Sequence, residues 1–353
     1  MAERGGRYPG VDILRGVAAL AVFLCHVSAF VVVNPLLRSP LHQMVEMGAH
    51  GVDLFIVISG FCLALPALRN GAQVQNVTFW KRRAARLLPP YWVALTGAFL
   101  LAVIPATYPY VVGQQASLGD FSLYASTLQI LVPSAEGTIN GSLWSISLEA
   151  HLYLCFPVLL LLWRRIGPVA LLVMAASMAL LWSSTGSGSI PLLGSPHVLP
   201  ARLVQFVVGM WCADLIGRGI RPRRSILWAV LLVGLIVAGA ASSADLSPAI
   251  VLWSVPCAAA LFLVTATPTS RAMRALGALG GVSFSFYLVH QPILLLLANP
   301  LRRVTTDPIP LFVLGSVIGF VVVLAVAVPF FIGVERPSHR FSRNLARSAT
   351  QRG

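Results

Sequence analysis

Charged residues are scarce in this chain of 353 amino acids. Asp, Glu, Lys and Arg make up 10% of it, whereas 57% is hydrophobic and the mean hydropathy is +0.83. A soluble domain carries about 25% charged residues, so the composition excludes a large globular core and indicates a polytopic membrane protein. The net charge is +14, but the basic residues occur in short clusters between apolar runs. This distribution is typical of cytoplasmic loops and argues against a nucleic-acid partner.

Metal-binding and secretion signals are also lacking. The five cysteines all fall within apolar runs, and no pair has the C-x-x-C spacing of a metal site. We therefore expect buried, reduced thiols and no bound metal. The first apolar run is too long for a signal peptide and no small-residue cleavage site follows it, so we expect it to remain as the first membrane span.

Ten apolar segments approach or exceed the length of about 20 helical residues that a bilayer requires. With the N-terminus inside, 20 of the 25 Lys and Arg residues fall in cytoplasmic segments and three in external ones. This asymmetry predicts an all-α, multi-pass bundle of about ten helices in the cytoplasmic membrane, with both termini in the cytoplasm. We expect a single domain over residues 1–340 and a short, basic, disordered tail over 341–353. The ten segments cover residues 11–33, 49–68, 90–112, 142–163, 166–183, 198–217, 225–241, 248–267, 276–298 and 309–333.

Two ionisable residues share one face of the first span. Arg15 and His26 are eleven residues apart, which is three helical turns plus about 20°, so their side chains point the same way about 16 Å apart. Ionisable groups at membrane depth are costly and usually mark a reaction centre or a pathway. A neutral imidazole can accept a proton, as a general base must. The alternatives are an arginine that reaches back to the cytoplasmic surface and a histidine that bonds a neighbouring helix.

Asp53 lies just inside the external end of the second predicted span, at a depth comparable with that of His26. A carboxylate at that depth would orient the imidazole and stabilise its charged form. It would equally serve as the cap of a helix N-terminus. The sequence leaves both interpretations open.

Three further side chains predict a polar face in the fourth span. Ser145, Glu149 and Tyr153 recur at four-residue steps, so they share one side of a helix. A buried carboxylate requires a partner, and we therefore expect a functional role for Glu149. Tyr287 and His290, three residues apart in the ninth span, either line a cavity or bond between helices.

A basic cluster precedes the third span, with four cations in six residues flanked by aromatic side chains. Arg82, Arg83 and Arg86 belong to it. Such a cluster is typical of an anchor on lipid headgroups. The alternative is a docking site for a polyanionic ligand such as a nucleotide-bearing cofactor.

Six blocks, taken in order, resemble the acyltransferase family 3 membrane proteins over residues 8 to 340. Family members often have a second acid after the glutamate of the fourth block, where this chain has Ala150. Some also carry an esterase-like domain, and the resemblance implies a stand-alone member without it. The blocks are Arg15-Gly16-x-Ala18…His26, Gly51-Val52-Asp53-Leu54-Phe55…Ser59-Gly60-Phe61, Arg82-Arg83…Arg86-Leu87-x-Pro89-x-Tyr91, Leu143-Trp144-Ser145-Ile146-Ser147-Leu148-Glu149, Ser283-Phe284-Ser285-Phe286-Tyr287-Leu288-x-His290-x-Pro292 and Glu335-Arg336-Pro337.

The resemblance implies a membrane O-acyltransferase that moves an acetyl or another short acyl group from acyl-CoA to a sugar hydroxyl. The acceptor would be an envelope glycan, a glycolipid or a glycosylated natural product, and no cofactor would be permanently bound. Together with the residue patterns, this gives three sets of predicted site residues. The catalytic residues are His26, as general base or as nucleophile, with Glu149 and Asp53. The acyl-CoA-binding residues are Arg15, Arg82, Arg83, Arg86 and Tyr91, and the acceptor-binding residues are Trp144, Ser145, Tyr287 and His290.

A transporter or flippase for glycans or lipids is the alternative from another class. Its buried Arg, His and Glu residues would form a path for protons or substrate. The sequence has no inverted repeat, which is the usual architecture of such transporters, and this favours the enzyme. The sequence predicts no particular oligomeric state.

Overall fold

The computed structural model describes residues 8–32, 40–69, 71, 76–184, 195–246, 248–266 and 271–350. All regular secondary structure in these ranges is helical. The helices are α1 Pro9–His26, α2 Pro40–Glu46, α3 Gly51–Arg69, α4 Asn76–Val103, α5 Tyr108–Val111, α6 Leu118–Ala125, α7 Trp144–Ser184, α8 Leu199–Gly217, α9 Arg224–Ser243, α10 Ala249–Ala266, α11 Arg271–Val304, α12 Pro308–Phe330 and α13 Arg336–Thr350.

The number of membrane spans agrees with the sequence prediction. Eight helical segments of the described ranges are long and apolar enough to cross a membrane, and the longest covers Gly141–Ser184. That segment is interrupted at Gly167, whose φ of 84° suits a residue without a Cβ, and Pro168 then begins a second helical stretch. The shorter apolar helix Ala249–Thr265 supplies a further span. The prediction of an all-α bundle with about ten membrane helices is thereby confirmed.

Glycines bring the first span into backbone contact with α11. A Cβ added to Gly16 would lie 2.0 Å from the carbonyl oxygen of Leu276, and one added to Gly280 would lie 1.7 Å from that of Asp12. No side chain fits at such distances, so the two helix backbones touch directly. Helices α3 and α8 approach in the same way at Gly60. These contacts fix α1 against α11 and α3 against α8, and so fix the side chains that these helices carry into the bundle.

The C-terminal tail is helical where the sequence predicted disorder. Helix α13 continues to Thr350, so the predicted boundary at residue 340 falls inside it. Its Ser338 and Ser342 hydroxyls donate to two backbone carbonyls of α4, at 2.5 and 2.8 Å. The prediction of a disordered tail is therefore wrong up to Thr350, because these bonds dock the helix on the bundle. Residues 351–353 lie outside the described ranges.

Candidate active site

A cavity of about 1100 Å³ runs between α1, α3, α4, α7, α11 and α13. Its basic end is formed by the C-terminal end of α3, the N-terminal part of α4, and α13. Its inner end is formed by Ser145 of α7 and Tyr287 of α11. We call it the cationic cavity, because its lining includes six arginines, namely Arg15, Arg69, Arg83, Arg86, Arg336 and Arg343.

Part of this basic lining escaped the sequence prediction. Arg336, His339 and Arg343 are separated by three and four residues, so a helix presents them on one face. That spacing was a usable signal, but it carries information only if the segment is helical. Arg336 and His339 lie beyond the last predicted span and Arg343 lies in the tail predicted to be disordered, so none of the three was assigned to a site.

Two of the predicted ligand-binding arginines are held in the cavity by neighbouring side chains. The Arg15 guanidinium lies 3.8 Å from the Cys62 sulfur and 3.6 Å from the Asp12 carboxylate. Arg83 lies over the aromatic ring of Tyr153, 5.6 Å from its centroid, in a cation–π contact. Arg86 also lines the cavity. Arg82 corrects the prediction, because it is exposed and does not belong to the cavity lining.

Glu149 lines the cationic cavity and is anchored by two hydroxyl donors. Ser59 of α3 donates to its Oε1 at 2.7 Å, and the Tyr153 hydroxyl donates to the same oxygen. The four-residue spacing that predicted a shared face for Glu149 and Tyr153 is therefore realised as a direct bond. Neither of these bonds joins Glu149 to His26.

The inner end of the cavity carries a pair of bonded hydroxyls. Ser145 Oγ donates to the Tyr287 hydroxyl at 2.8 Å, and Tyr287 in turn donates to the Ser142 carbonyl at 2.9 Å. Both side chains face the cavity, as their assignment to a binding site requires. They are also the polar groups that a ligand entering from the basic end would meet last.

His26 and His290 form a hydrogen-bonded pair beyond this inner end. His26 Nδ1 lies 2.7 Å from His290 Nε2, and the two rings are within 3° of parallel with centroids 4.9 Å apart. So short a nitrogen distance at so long a centroid distance means that the rings meet edge to edge. Neither histidine lines the cationic cavity. Arg15 and His26 therefore do not line one common cavity, although Tyr287, which does line it, lies 5.2 Å from the His290 ring.

Asp53 has partners other than His26. It is 1% exposed, and its carboxylate accepts from Arg202 at 2.5 Å and from His50 at 2.7 Å. The prediction that it orients His26 is wrong, because both oxygens are engaged elsewhere. It is not the helix cap either, since α3 already begins at Gly51. Asp53 instead ties α3 to α8, a role that periodicity could not reveal because Arg202 lies 149 residues away.

Tyr91 and Trp144 also lie outside the lining of the cationic cavity, and their predicted roles in donor and acceptor binding stay predictions. Tyr91 is fully buried, and its hydroxyl donates to the Tyr124 carbonyl at 2.6 Å. Trp144 stacks on His197 with ring centroids 3.9 Å apart. Burial and the nearby Arg202 lower the pKa of His197 to about 3, so the stacked imidazole is neutral at physiological pH. Both aromatic side chains thus make their described contacts outside the cationic cavity.

Comparison with known proteins agrees with the earlier resemblance. A family model described as an acyltransferase domain, of the acyltransferase 3 family, matches residues 8–330. Acyltransferase MdmB of Streptomyces mycarofaciens is 29% identical, over 82% of this chain and 80% of its own length. O-acetyltransferase OatA of Staphylococcus aureus and the putative peptidoglycan O-acetyltransferase YrhL of Bacillus subtilis are 24% and 26% identical, each over 43% of this chain. The chain's matches span about a quarter of those two proteins, 24% and 23% of their lengths.

No solved structure gives a significant match. The family match nevertheless covers nearly the whole chain, and the relatives are named as acyltransferases. These findings support the enzyme over the transporter considered above. The chain belongs to the acyltransferase 3 family and is a multi-pass membrane O-acyltransferase.

Proposed function

We propose that this enzyme transfers an acetyl or another short acyl group from acyl-CoA to a sugar hydroxyl, and that it works in the cytoplasmic membrane. The observation that carries the donor assignment is the cationic cavity, whose basic end gathers arginines from three helices. Arginine clusters bind phosphate groups through paired, charge-assisted hydrogen bonds. The 3′-phosphate and the diphosphate of coenzyme A are ligands of this kind.

The shape of the cavity suits the rest of the donor. With the phosphates held at the basic end, the narrow pantetheine arm would run past Arg15 and Cys62 and bring the thioester to Ser145 and Tyr287. On donor binding, the Ser145 hydroxyl would turn from Tyr287 and donate to the negative charge that develops on the thioester oxygen during attack. Glu149, fixed by Ser59, would lie beside the arm.

His26 would activate the acceptor. The acceptor hydroxyl gives its proton to an imidazole nitrogen, and its oxygen bonds to the thioester carbon. The carbon–sulfur bond then breaks, and the CoA thiolate leaves with a proton returned from the imidazolium. Because Tyr287 lines the cationic cavity and also lies 5.2 Å from the ring of His290, the partner of His26, we propose that donor and acceptor meet at the edge of Tyr287.

The acceptor class is supported by the relatives' names. Two of them are named as O-acetyltransferases, and one of these names specifies peptidoglycan. A hydroxyl of an amino-sugar polymer or of a smaller glycoside is therefore the acceptor we propose for this chain.

Transfer can be tested with the purified protein in lipid nanodiscs and acetyl-CoA labelled in the acetyl group. Muropeptides and p-nitrophenyl glycosides serve as the two acceptor classes. We expect label on a sugar hydroxyl, and in His26→Ala a loss of kcat of at least about 10²-fold, the lower end of what a positioned general base contributes. Arg15→Ala should mainly raise KM for acetyl-CoA. Transfer that persists in His26→Ala, or acetyl-CoA-independent movement of glycan across the bilayer, would overturn the proposal.

A further inference from the structure

A chain of hydrogen bonds connects the backbone of α11 to His26. His290 Nδ1 lies 2.5 Å from the carbonyl oxygen of Tyr287, one turn earlier on the same helix. The other nitrogen of His290, Nε2, lies 2.7 Å from His26 Nδ1. Three groups are thus joined in line: a carbonyl, one imidazole and a second imidazole.

The carbonyl sets the direction of this chain. A carbonyl oxygen only accepts, so His290 Nδ1 must carry its hydrogen. A neutral imidazole has one donor nitrogen and one acceptor nitrogen, and His290 Nε2 is therefore the acceptor. The short bond to His26 then requires the hydrogen on His26 Nδ1. This leaves the lone pair of His26 on Nε2.

We propose that His290 is the positioning residue that fixes His26 in the tautomer required of a base, with the Nε2 lone pair free for the acceptor hydroxyl. This inference rests on the proposed function. His290 takes the place of the carboxylate that commonly orients a catalytic histidine. In the described part of the chain, neither imidazole is bonded by a carboxylate. This inference also changes the role of His290, which the sequence assigned to acceptor binding.

The pair is suited to the charge that appears during transfer. When His26 Nε2 takes the acceptor proton, its Nδ1–H becomes a stronger donor to His290 Nε2, and the bond between the rings strengthens. The proton goes no further than the two imidazoles, because the Tyr287 carbonyl at the other end of this chain of hydrogen bonds is not basic. The edge-to-edge arrangement keeps both nitrogens in line while this occurs.

Three substitutions separate positioning from every other role of His290. In His290→Gln the amide oxygen can occupy the place of Nε2 and accept from His26, so kcat should stay within about tenfold of wild type. His290→Asn can satisfy the Tyr287 carbonyl but is too short to reach His26. It should lose at least about 10²-fold in kcat, as should His290→Leu. KM for acetyl-CoA should change little in all three, since His290 does not line the cationic cavity.

A matched control removes a different membrane histidine. His151 of α7 is neither a cavity-lining residue nor a partner of the pair, so His151→Leu should retain kcat. Retained binding of acetyl-CoA shows that each variant is folded. Equal activity of the Asn and Gln variants, or wild-type activity of the Leu variant, would overturn the proposal. A folded Gln variant as inactive as the Leu variant would also do so, since His290 would then have to exchange protons itself.

The tautomer can be read without any turnover. Nitrogen-15 spectra of histidine-labelled protein in liposomes, assigned with His26→Gln, should show His26 protonated at Nδ1 and bare at Nε2. A His26 protonated at Nε2 would overturn the inference whatever the activity. Wild-type protein with the expected tautomer but no acetyl transfer would instead overturn the proposed function alone.

Discussion

The arginines that line the cationic cavity lie at different depths in it. Arg15 lies farther along it, against Cys62, whereas Arg343 belongs to the basic end and is exposed. With the donor bound as proposed, the deep arginine would face its narrow arm and the exposed arginine would face its phosphates. The two positions should therefore affect different parts of the donor.

Arg343→Gln should raise KM for acetyl-CoA by about fivefold with kcat unchanged, because an exposed charge pair contributes roughly 1 kcal/mol or less. KM for acetyl-pantetheine, which carries no phosphate, should be unaffected. Steady-state kinetics with both donors at two salt concentrations measure this, since salt screens exposed charges.

Arg340→Gln is the matched control for this substitution. Arg340 lies on the same helix and is exposed, but it does not line the cavity. The same change of charge there should leave both KM values at wild type. Equal effects of the two variants would show a general surface-charge effect and contradict a phosphate contact at Arg343.

Helices set the distance between the two histidines. His26 belongs to α1 and His290 to α11, and the backbones of these helices touch at Gly16 and Gly280. A separation of α1 from α11 by the width of one methyl group would lengthen the 2.7 Å bond beyond hydrogen-bonding range.

Gly16→Ala should therefore reduce both stability and kcat. The added methyl group meets the Leu276 carbonyl at 2.0 Å, and overpacking of this kind costs about 1–3 kcal/mol. Gly97→Ala in α4 is the matched control, because nothing lies within 4 Å of its added Cβ. Thermal unfolding in detergent and turnover assays compare the two. Wild-type values for Gly16→Ala would refute the account of this contact.

Hydropathy predicted the spans well because each one needs a long apolar run, and that condition is local. It could not predict α13, whose residues are polar and whose position depends on Ser338 and Ser342 meeting carbonyls of α4. Spacing along one helix predicted a shared face for Ser145, Glu149 and Tyr153, and all three line the cavity. It could not find partners on other helices, such as Arg202 for Asp53.

Across the whole molecule, five of the six arginines that line the cationic cavity belong to segments that the sequence predicts to lie on one side of the membrane. The positive-inside rule predicts that this basic end of the cavity faces the cytoplasm. The orientation of the bundle would therefore decide which compartment supplies the proposed acyl-CoA donor.

Reporter fusions test this orientation. Green fluorescent protein joined after residue 353 should fluoresce, because it folds in the cytoplasm. Alkaline phosphatase inserted within residues 113–141, predicted to be external, should be active. A dark C-terminal fusion together with an inactive insertion would reverse the orientation, and the donor would then have to come from outside.

The direct backbone contact between α1 and α11 restricts which helices can move during substrate entry and product release. No side chains lie between α1 and α11 at this contact, so the two helices cannot repack there. The movements that let a donor enter or a product leave must therefore occur in the other helices. The distance between the His26 and His290 rings would then stay constant through every catalytic cycle. Helices other than α1 and α11 would have to move to open the site.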